Sequence, residues 1–308
     1  MDSPTVKFQR IAIIGAGLIG SSLARAIARA GTTADLVLAD SDGAVLEEAR
    51  SLNLANEYVA NAAAAAKGAD LVILAIPVGA MANVGAEIAP VLKPNAIITD
   101  VGSVKASVLA ALQPAMPEGV HLIPGHPVAG TEQSGPSSGF ASLFEDRWCI
   151  LTPPESCDAA ALKVLSSFWQ AFGSRVEIMT AAHHDLVLAI TSHVPHLIAY
   201  NIVGTASDLE VVTRSEVIKY SAGGFRDFTR IAASDPTMWR DVFLNNKDAV
   251  LEMLGRFSED LTALQRAIRW GDGDALFELF TRTRDIRRSI VDAGQDEAEA
   301  DFGRSHED

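Results

Sequence analysis

From residue 9 to about residue 180 the chain alternates short aliphatic runs with helical stretches, the pattern of parallel strands joined by crossover helices. Arg10 to Ile14, Leu36 to Ala39, Leu71 to Ile76 and Ile97 to Val101 read as strands, with helices predicted over Gly17 to Ala30 and Gly43 to Leu52. His121 to Pro124, Trp148 to Thr152 and Arg175 to Met179 are further strand candidates, so this half reads as one doubly wound α/β sheet. The apolar stretch Leu71 to Leu92 is interrupted by Pro77, Gly79, Asn83, Glu87 and Pro90, and reads as strand, turn and helix rather than a membrane span.

Beyond Thr180 the strand signals nearly vanish, and apolar-periodic segments at roughly 184 to 206, 236 to 270 and 273 to 293 predict an all-α second half. Asp235 before Pro236 supplies a capping side chain and a first-turn proline, and Asp272 or Asp274 serves as a cap for the last long helix. The expected organisation is an α/β domain over 9–180, a helical domain over 181–294, and a frayed acidic tail over 295–308. Long apolar helices over 236–293 would leave much hydrophobic surface on a lone helical half, which favours a homodimer.

Charge narrows the partners. Among 308 residues, 25 are basic and 39 acidic, a net charge of −14 that repels nucleic acid and anionic membranes. An anionic ligand would therefore need locally placed arginines. The two cysteines, Cys149 and Cys157, are too few for a disulfide framework, which favours a cytoplasmic setting. The start, with Lys7 and Arg10 before an apolar run, superficially resembles a signal peptide, but its glycines follow another logic.

Gly15, Gly17 and Gly20 form a G-x-G-x-x-G turn, GAGLIG with Leu18 and Ile19, directly after the first strand and before a helix. The spacing suits a tight turn, close approach of a pyrophosphate and close helix–strand packing, as in a Rossmann-type dinucleotide-binding domain. Asp40 ends the second strand, where a carboxylate accepts hydrogen bonds from the adenosine ribose and repels a 2′-phosphate, so NAD is favoured over NADP. The other reading of Asp40 is a solvated loop acid or helix cap. Ile76, Pro77 and Ser103 follow later strands and join the candidate cofactor contacts.

The segment GHPVAGTEQSG, Gly125 to Gly135, places His126 and Glu132 in what reads as a fixed, exposed loop. His126 is a candidate proton acceptor and Ser103 its candidate orienting partner, although Ser103 taken alone reads as a helix cap. His183, His184, His193 and His196 account for four of the seven histidines. His193 and His196 lie a helical turn apart, with Pro195 expected in a first turn behind Ser192 as cap, and no ligand set for a metal is completed. The pair Gly223-Gly224 before Arg226 and Arg230 suits an anion-binding loop, although the arginines also read as surface groups. Trp239 reads as core, interface or pocket wall.

Taken in order, GAGLIG, DVGSVK, GHPVAGTEQSG, SHVPH and GGFRDFTRIAASDPTMWRDVF resemble the prephenate and arogenate dehydrogenase family of tyrosine biosynthesis, over residues 9 to 293. The resemblance implies a nucleotide-binding domain followed by a helical dimerisation domain. It makes His126 the catalytic histidine, Ser103 its hydrogen-bonding partner near the nicotinamide, and Arg230 the ligand of a substrate carboxylate. It further implies that His193, His196, Glu132, Gly223 and Trp239 line or gate the pocket, and that Asp40 is the ribose-binding acid of NAD-dependent members. The expectation is a chain without the regulatory domain or fused mutase of some relatives. The alternatives are a related β-hydroxyacid or imine dehydrogenase, which would use a lysine in the helical half, and a nucleotide-binding protein without catalysis.

Overall fold

A computed structural model describes residues 8–213 and 223–292. The expected acidic tail, 295–308, lies outside the described residues. Two compact units divide the chain, one up to Leu251 and one from Glu252. In the first, strands β1 (Arg10–Ile14), β2 (Asp35–Ala39), β3 (Glu57–Val59), β4 (Leu71–Leu74), β5 (Ile97–Asp100) and β6 (His121–Leu122) form a six-stranded sheet in the order β3-β2-β1-β4-β5-β6. Every pairing in it is parallel. The order reverses between β1 and β4, which opens a crevice at the carboxyl ends of the strands, where ligands bind in such sheets.

The central strands carry near-continuous aliphatic runs, such as Ile11 to Ile14 and Leu71 to Leu74, because both faces are covered. Ile11, Ile13, Leu36, Leu38, Leu71 and Ile73 face one core with Leu23 and Ile27 of α1 (Leu18–Arg29) and Leu165, Phe168 and Trp169 of α6 (Ala159–Gln170). Their alternates Ala12, Ile14, Val37, Val72, Leu74 and Ile98 face the other, with Met81 and Ile88 of α4 (Met81–Ile88) and Val108 and Leu112 of α5 (Ala106–Leu112). The smaller helices α2 (Gly43–Ser51) and α3 (Ala62–Ala66) begin at side-chain caps, Asp42 and Asn61.

The single sheet expected from sequence is in fact two. β7 (Gly125–Pro127), β8 (Trp148–Leu151) and β9 (Arg175–Ile178) form a separate three-stranded sheet, antiparallel between β7 and β8 and parallel between β8 and β9. Only two residues of the first candidate run, His121 and Leu122, pair with β5. The chain then leaves the large sheet, and Gly125 starts a new strand beside it.

The helical part also departs from expectation at one point. Pro195 does not begin a helix, and Ser192 does not cap one. Thr180 is the cap, accepting from His183 N at 3.2 Å, and α7 (Ala181–Leu188) runs through a π-helical turn (Ala189–His193) into α8 (Val194–Thr213). The widened turn just before Pro195 accommodates a ring that lacks an N–H and would clash in a regular helix. Residues 181–208 are long and apolar enough to cross a membrane by length and composition. Yet His184, Asp185 and His193 on this run are buried in hydrogen bonds to protein partners.

The predicted helix over 236–270 is broken at Asn246 into Pro236–Asn245 and Lys247–Trp270. Asp235 caps the former through Met238 N at 2.8 Å, and Asp272, not Asp274, caps Gly273–Asp292 through Ala275 N at 3.0 Å. In the unit from Glu252 onward, Ile268, Trp270, Phe277, Phe280 and Ile286 are exposed.

Candidate active site

The glycine turn joins β1 to α1 at the crevice. Gly15 has φ +105°, and a Cβ there would stand 2.1 Å from the Ala75 carbonyl oxygen. A Cβ on Gly20 would stand 1.9 Å from the Gly15 oxygen, so both positions are closed to any side chain. Gly17 is different, because a Cβ there would meet nothing within 4 Å. The first turn of α1, with Leu18 and Ile19, carries no acidic residue, and Gly17 provides no side-chain cap, which leaves an open helix start suited to a phosphate.

Asp40 is tied into this turn. Its Oδ2 accepts from Ala16 N at 2.9 Å and its Oδ1 from Asp42 N at 2.9 Å, while Asp42 caps α2. Ile76 and Pro77 follow β4 on the other side of the turn, where the Ile76 side chain would lie 3.1 Å from a Cβ on Gly15. These residues form a cradle that a dinucleotide fits.

His126 is buried in the middle of β7, opposite Ile150, which corrects the exposed loop expected from its glycine and proline neighbours. Gly125 is required by close packing, since a Cβ there would lie 3.1 Å from both the Asp100 carbonyl oxygen and Thr99 Oγ1. Burial pushes the His126 imidazole well below the ordinary histidine pKa, and His184, Lys105 and His193 push the same way. The ring is therefore neutral near neutral pH and available as a proton acceptor.

Ser103 is not its orienting partner here. The Nδ1 of His126 bonds to Nε2 of His184 at 2.8 Å, and Nδ1 of His184 bonds to Asp185 Oδ1 at 2.8 Å. Asp185 is fixed in turn by Lys105 N on Oδ1 at 2.8 Å and Ala106 N on Oδ2 at 2.9 Å, at the start of α5. Ser103 lies two residues before this clamp, half-buried at the carboxyl end of β5.

Beneath His126 sits a fully buried ion pair between Lys105 and Asp100. Lys105 Nζ also donates to the Gly125 carbonyl at 2.6 Å, and Asp100 accepts from Gly125 N at 3.2 Å and Gly102 N at 2.8 Å. Burial pushes the Asp100 carboxyl up and the Lys105 ammonium down, and each partner opposes the shift in the other. The pair holds both polar groups of Gly125 and so fixes the height of His126 above the sheet.

The remaining candidates gather on the helical side. Trp239 is buried against Val104 and Val242 and stacks on His196, with centroids 3.7 Å apart, and meets His193 edge-on at 6.1 Å. It is both core and wall. His196 donates from Nδ1 to Ser192 O at 2.8 Å. His193, pushed down to about 4 by burial, contacts Asn246 Nδ2 at 3.0 Å, and the same amide donates to Asp185 O at 2.8 Å. Arg230 pairs with Glu132 at 3.0 Å and lies near enough to His196 to lower its pKa, although burial is the larger cause. Gly223 lies in the helix Gly223–Thr229 rather than in a loop, and Arg230 follows at the end of that helix.

Sequence reasoning thus missed Asp100, Lys105, Asp185 and Asn246, and left His184 without a role. The available signal was their position: the two former flank Ser103, and His184 and Asp185 open the first helix after the sheet. Among the described residues, no three His, Cys, Asp or Glu side chains converge as a metal site.

Comparison with known proteins gives matches over most of the chain. Residues 23–178 match the nucleotide-binding domain of prephenate dehydrogenase, and residues 180–282 match its dimerization domain. The chain is 45% identical over 283 residues to a cyclohexadienyl dehydrogenase of Zymomonas mobilis, covering 92% of this chain and 96% of that one. Its fold is similar to that of a prephenate dehydrogenase from A. aeolicus in complex with hydroxyphenyl propionate and NAD+, with a TM-score of 0.85, 32% identity, and coverage of 92% and 98%. It is also similar to a Synechocystis arogenate dehydrogenase, with a TM-score of 0.76, 26% identity, and coverage of 91% and 99%.

Proposed function

The chain belongs to the prephenate dehydrogenase family, and on that premise we propose that it catalyses the NAD-dependent oxidative decarboxylation of prephenate, arogenate or both in tyrosine biosynthesis. The observation that carries this reading is a buried, neutral His126 on the strand that follows a dinucleotide-binding sheet, tied through His184 to Asp185.

When bound, NAD supplies the hydride acceptor. The protein's residues do the rest. Gly15, Gly17, Leu18, Ile19 and Gly20 receive the pyrophosphate, Asp40 the ribose hydroxyls, and Ile76, Pro77 and Ser103 the nicotinamide end. His126 Nε2 takes the proton of the ring hydroxyl as that carbon gives up its hydride. The resulting keto acid then loses CO₂ and becomes aromatic, which makes the step effectively irreversible. Arg230 holds a substrate carboxylate, and Trp239, His193, His196, Glu132 and Gly223 shape the pocket around it. Glu132 can also pair with the ammonium that distinguishes arogenate, which allows use of both substrates.

Residues 9–180 are assigned to NAD binding and 181–294 to substrate binding and homodimerisation, the exposed apolar residues from Ile268 to Ile286 being the surface a second copy would cover. The free Cys149 and Cys157 support a cytoplasmic setting. A β-hydroxyacid dehydrogenase would need a lysine in the helical half, and the described lysine of residues 181–251, Lys247, is exposed at a helix start. The test is NADH formation by the purified protein with prephenate and with arogenate, using NAD and then NADP. NADH together with CO₂ from either substrate, with NAD preferred, is expected. NAD binding without reduction by either substrate would overturn the assignment.

A further inference from the structure

Four hydrogen bonds fix the protons of the buried histidine pair. Asp185 accepts from two backbone amides, and its Oδ1 also faces His184 Nδ1 at 2.8 Å. A carboxylate can only accept, so Nδ1 of His184 carries hydrogen and Nε2 of the neutral ring has a lone pair. The bond between His184 Nε2 and His126 Nδ1, also 2.8 Å, then requires hydrogen on His126 Nδ1. The rings meet edge to face at 66°, as an in-plane N–H pointing at a neighbouring ring edge allows. What remains on His126 is an Nε2 lone pair, the one that a general base uses.

We propose that His184, backed by Asp185, is the positioning residue that sets the tautomer of His126 and receives a proton from it during the oxidation step, an inference that rests on the reaction assigned above. As the substrate O–H bond breaks, its proton joins His126 Nε2. The Nδ1 proton of His126 passes to His184 Nε2, which leaves His126 neutral and His184 as an imidazolium against the Asp185 carboxylate. No other reactant is needed. The surroundings favour this direction. Burial first, and then His184, Lys105 and His193, all oppose positive charge on His126. Burial, and after it Lys105, lowers the His184 pKa as well, but Asp185 and Asp100 favour charge there, as none of the groups acting on His126 does.

The experiment uses the full-length protein with ¹⁵N-labelled histidine, and reads tautomers from two-bond ¹H–¹⁵N correlations, with His126→Asn assigning the signal. The wild type is expected to show His126 protonated at Nδ1 alone. His184→Phe leaves the Asp185 clamp in place. It is expected to lower kcat by about 10²-fold or more while the affinity for NAD and the KM for substrate stay within about threefold. Hydrogen on His126 Nε2 in the wild type, or a kcat loss in His184→Phe below about threefold, would each overturn the proposal. The tautomer is read without turnover, so inactivity on both substrates would sink the assigned reaction and leave this measurement standing.

Discussion

Replacement of Lys105 by methionine isolates the buried ion pair that holds Gly125, the neighbour of His126. Methionine fills most of the volume, but leaves the fully buried Asp100 with only Gly102 N and Gly125 N as donors and removes the bond to the Gly125 carbonyl. Breaking a buried pair from one side costs about 3–5 kcal/mol, because the surviving charge is stranded. At about 2–4 °C per kcal/mol for a unit of this size, the apparent Tm should fall by about 6–20 °C. The loss is pH-dependent in a defined direction. With its folded pKa raised further above an unfolded value of about 3.9, Asp100 does not penalise folding when both states are protonated and penalises it increasingly as pH rises past the unfolded value. The deficit relative to wild type should therefore be largest near neutral pH and shrink toward about pH 4. Urea unfolding at several pH values measures this. The double variant Asp100→Asn, Lys105→Met removes the stranded charge and should recover most of the stability. A single-variant loss below about 1 kcal/mol at neutral pH, or a double variant no more stable than the single one, would refute the reasoning.

Other outcomes follow from the same geometry. His126→Asn should lower kcat by about 10²–10⁴-fold with substrate affinity retained, whereas Arg230→Gln should act mainly through KM; near-normal steady-state kinetics in both would contradict the roles. Because His126 must be neutral and its pKa is depressed, activity should fall only as pH drops below the ordinary histidine range. An acid limb of kcat/KM at or above about 6.5 would count against it as the titrating base. Gly20→Ala, with a Cβ 1.9 Å from the Gly15 oxygen, should abolish NAD binding as read by fluorescence quenching, and retained wild-type affinity would contradict the packing argument. Phe277→Glu with Phe280→Glu should shift the protein toward monomer in sedimentation, and an unchanged mass would place the interface elsewhere.

The strands of the large sheet were legible to within two residues at most ends for β1, β2, β4 and β5, since burial on both faces demands uninterrupted aliphatic runs. β3 escaped notice because Glu57-Tyr58-Val59 is short and at an edge, and β7 because glycine and proline mark turns far more often than buried strands. The candidate residues named in the sequence do cluster in two groups, around the glycine turn and around His126, His193, His196, Trp239 and Arg230. Their supports were not legible. Lys105, Asp100 and Asp185 belong to residue types that usually face solvent, and only the crossing of β5, β7 and α7 reveals that these three are enclosed. The π turn was hidden for a related reason, as Pro195 ordinarily signals a start and here follows a distortion inside a longer helix.

The clamp of Asp185 on the amides of Lys105 and Ala106, with Asn246 fastened to the Asp185 carbonyl, welds three distant stretches of chain into one block. Such a block cannot breathe in parts. The contact between Arg230 and Glu132 is instead a single exposed ion pair, of a kind whose rupture requires about 0–1 kcal/mol. The interior around His126 is therefore held by several mutually dependent bonds, whereas Arg230 is held at the surface by one weak contact.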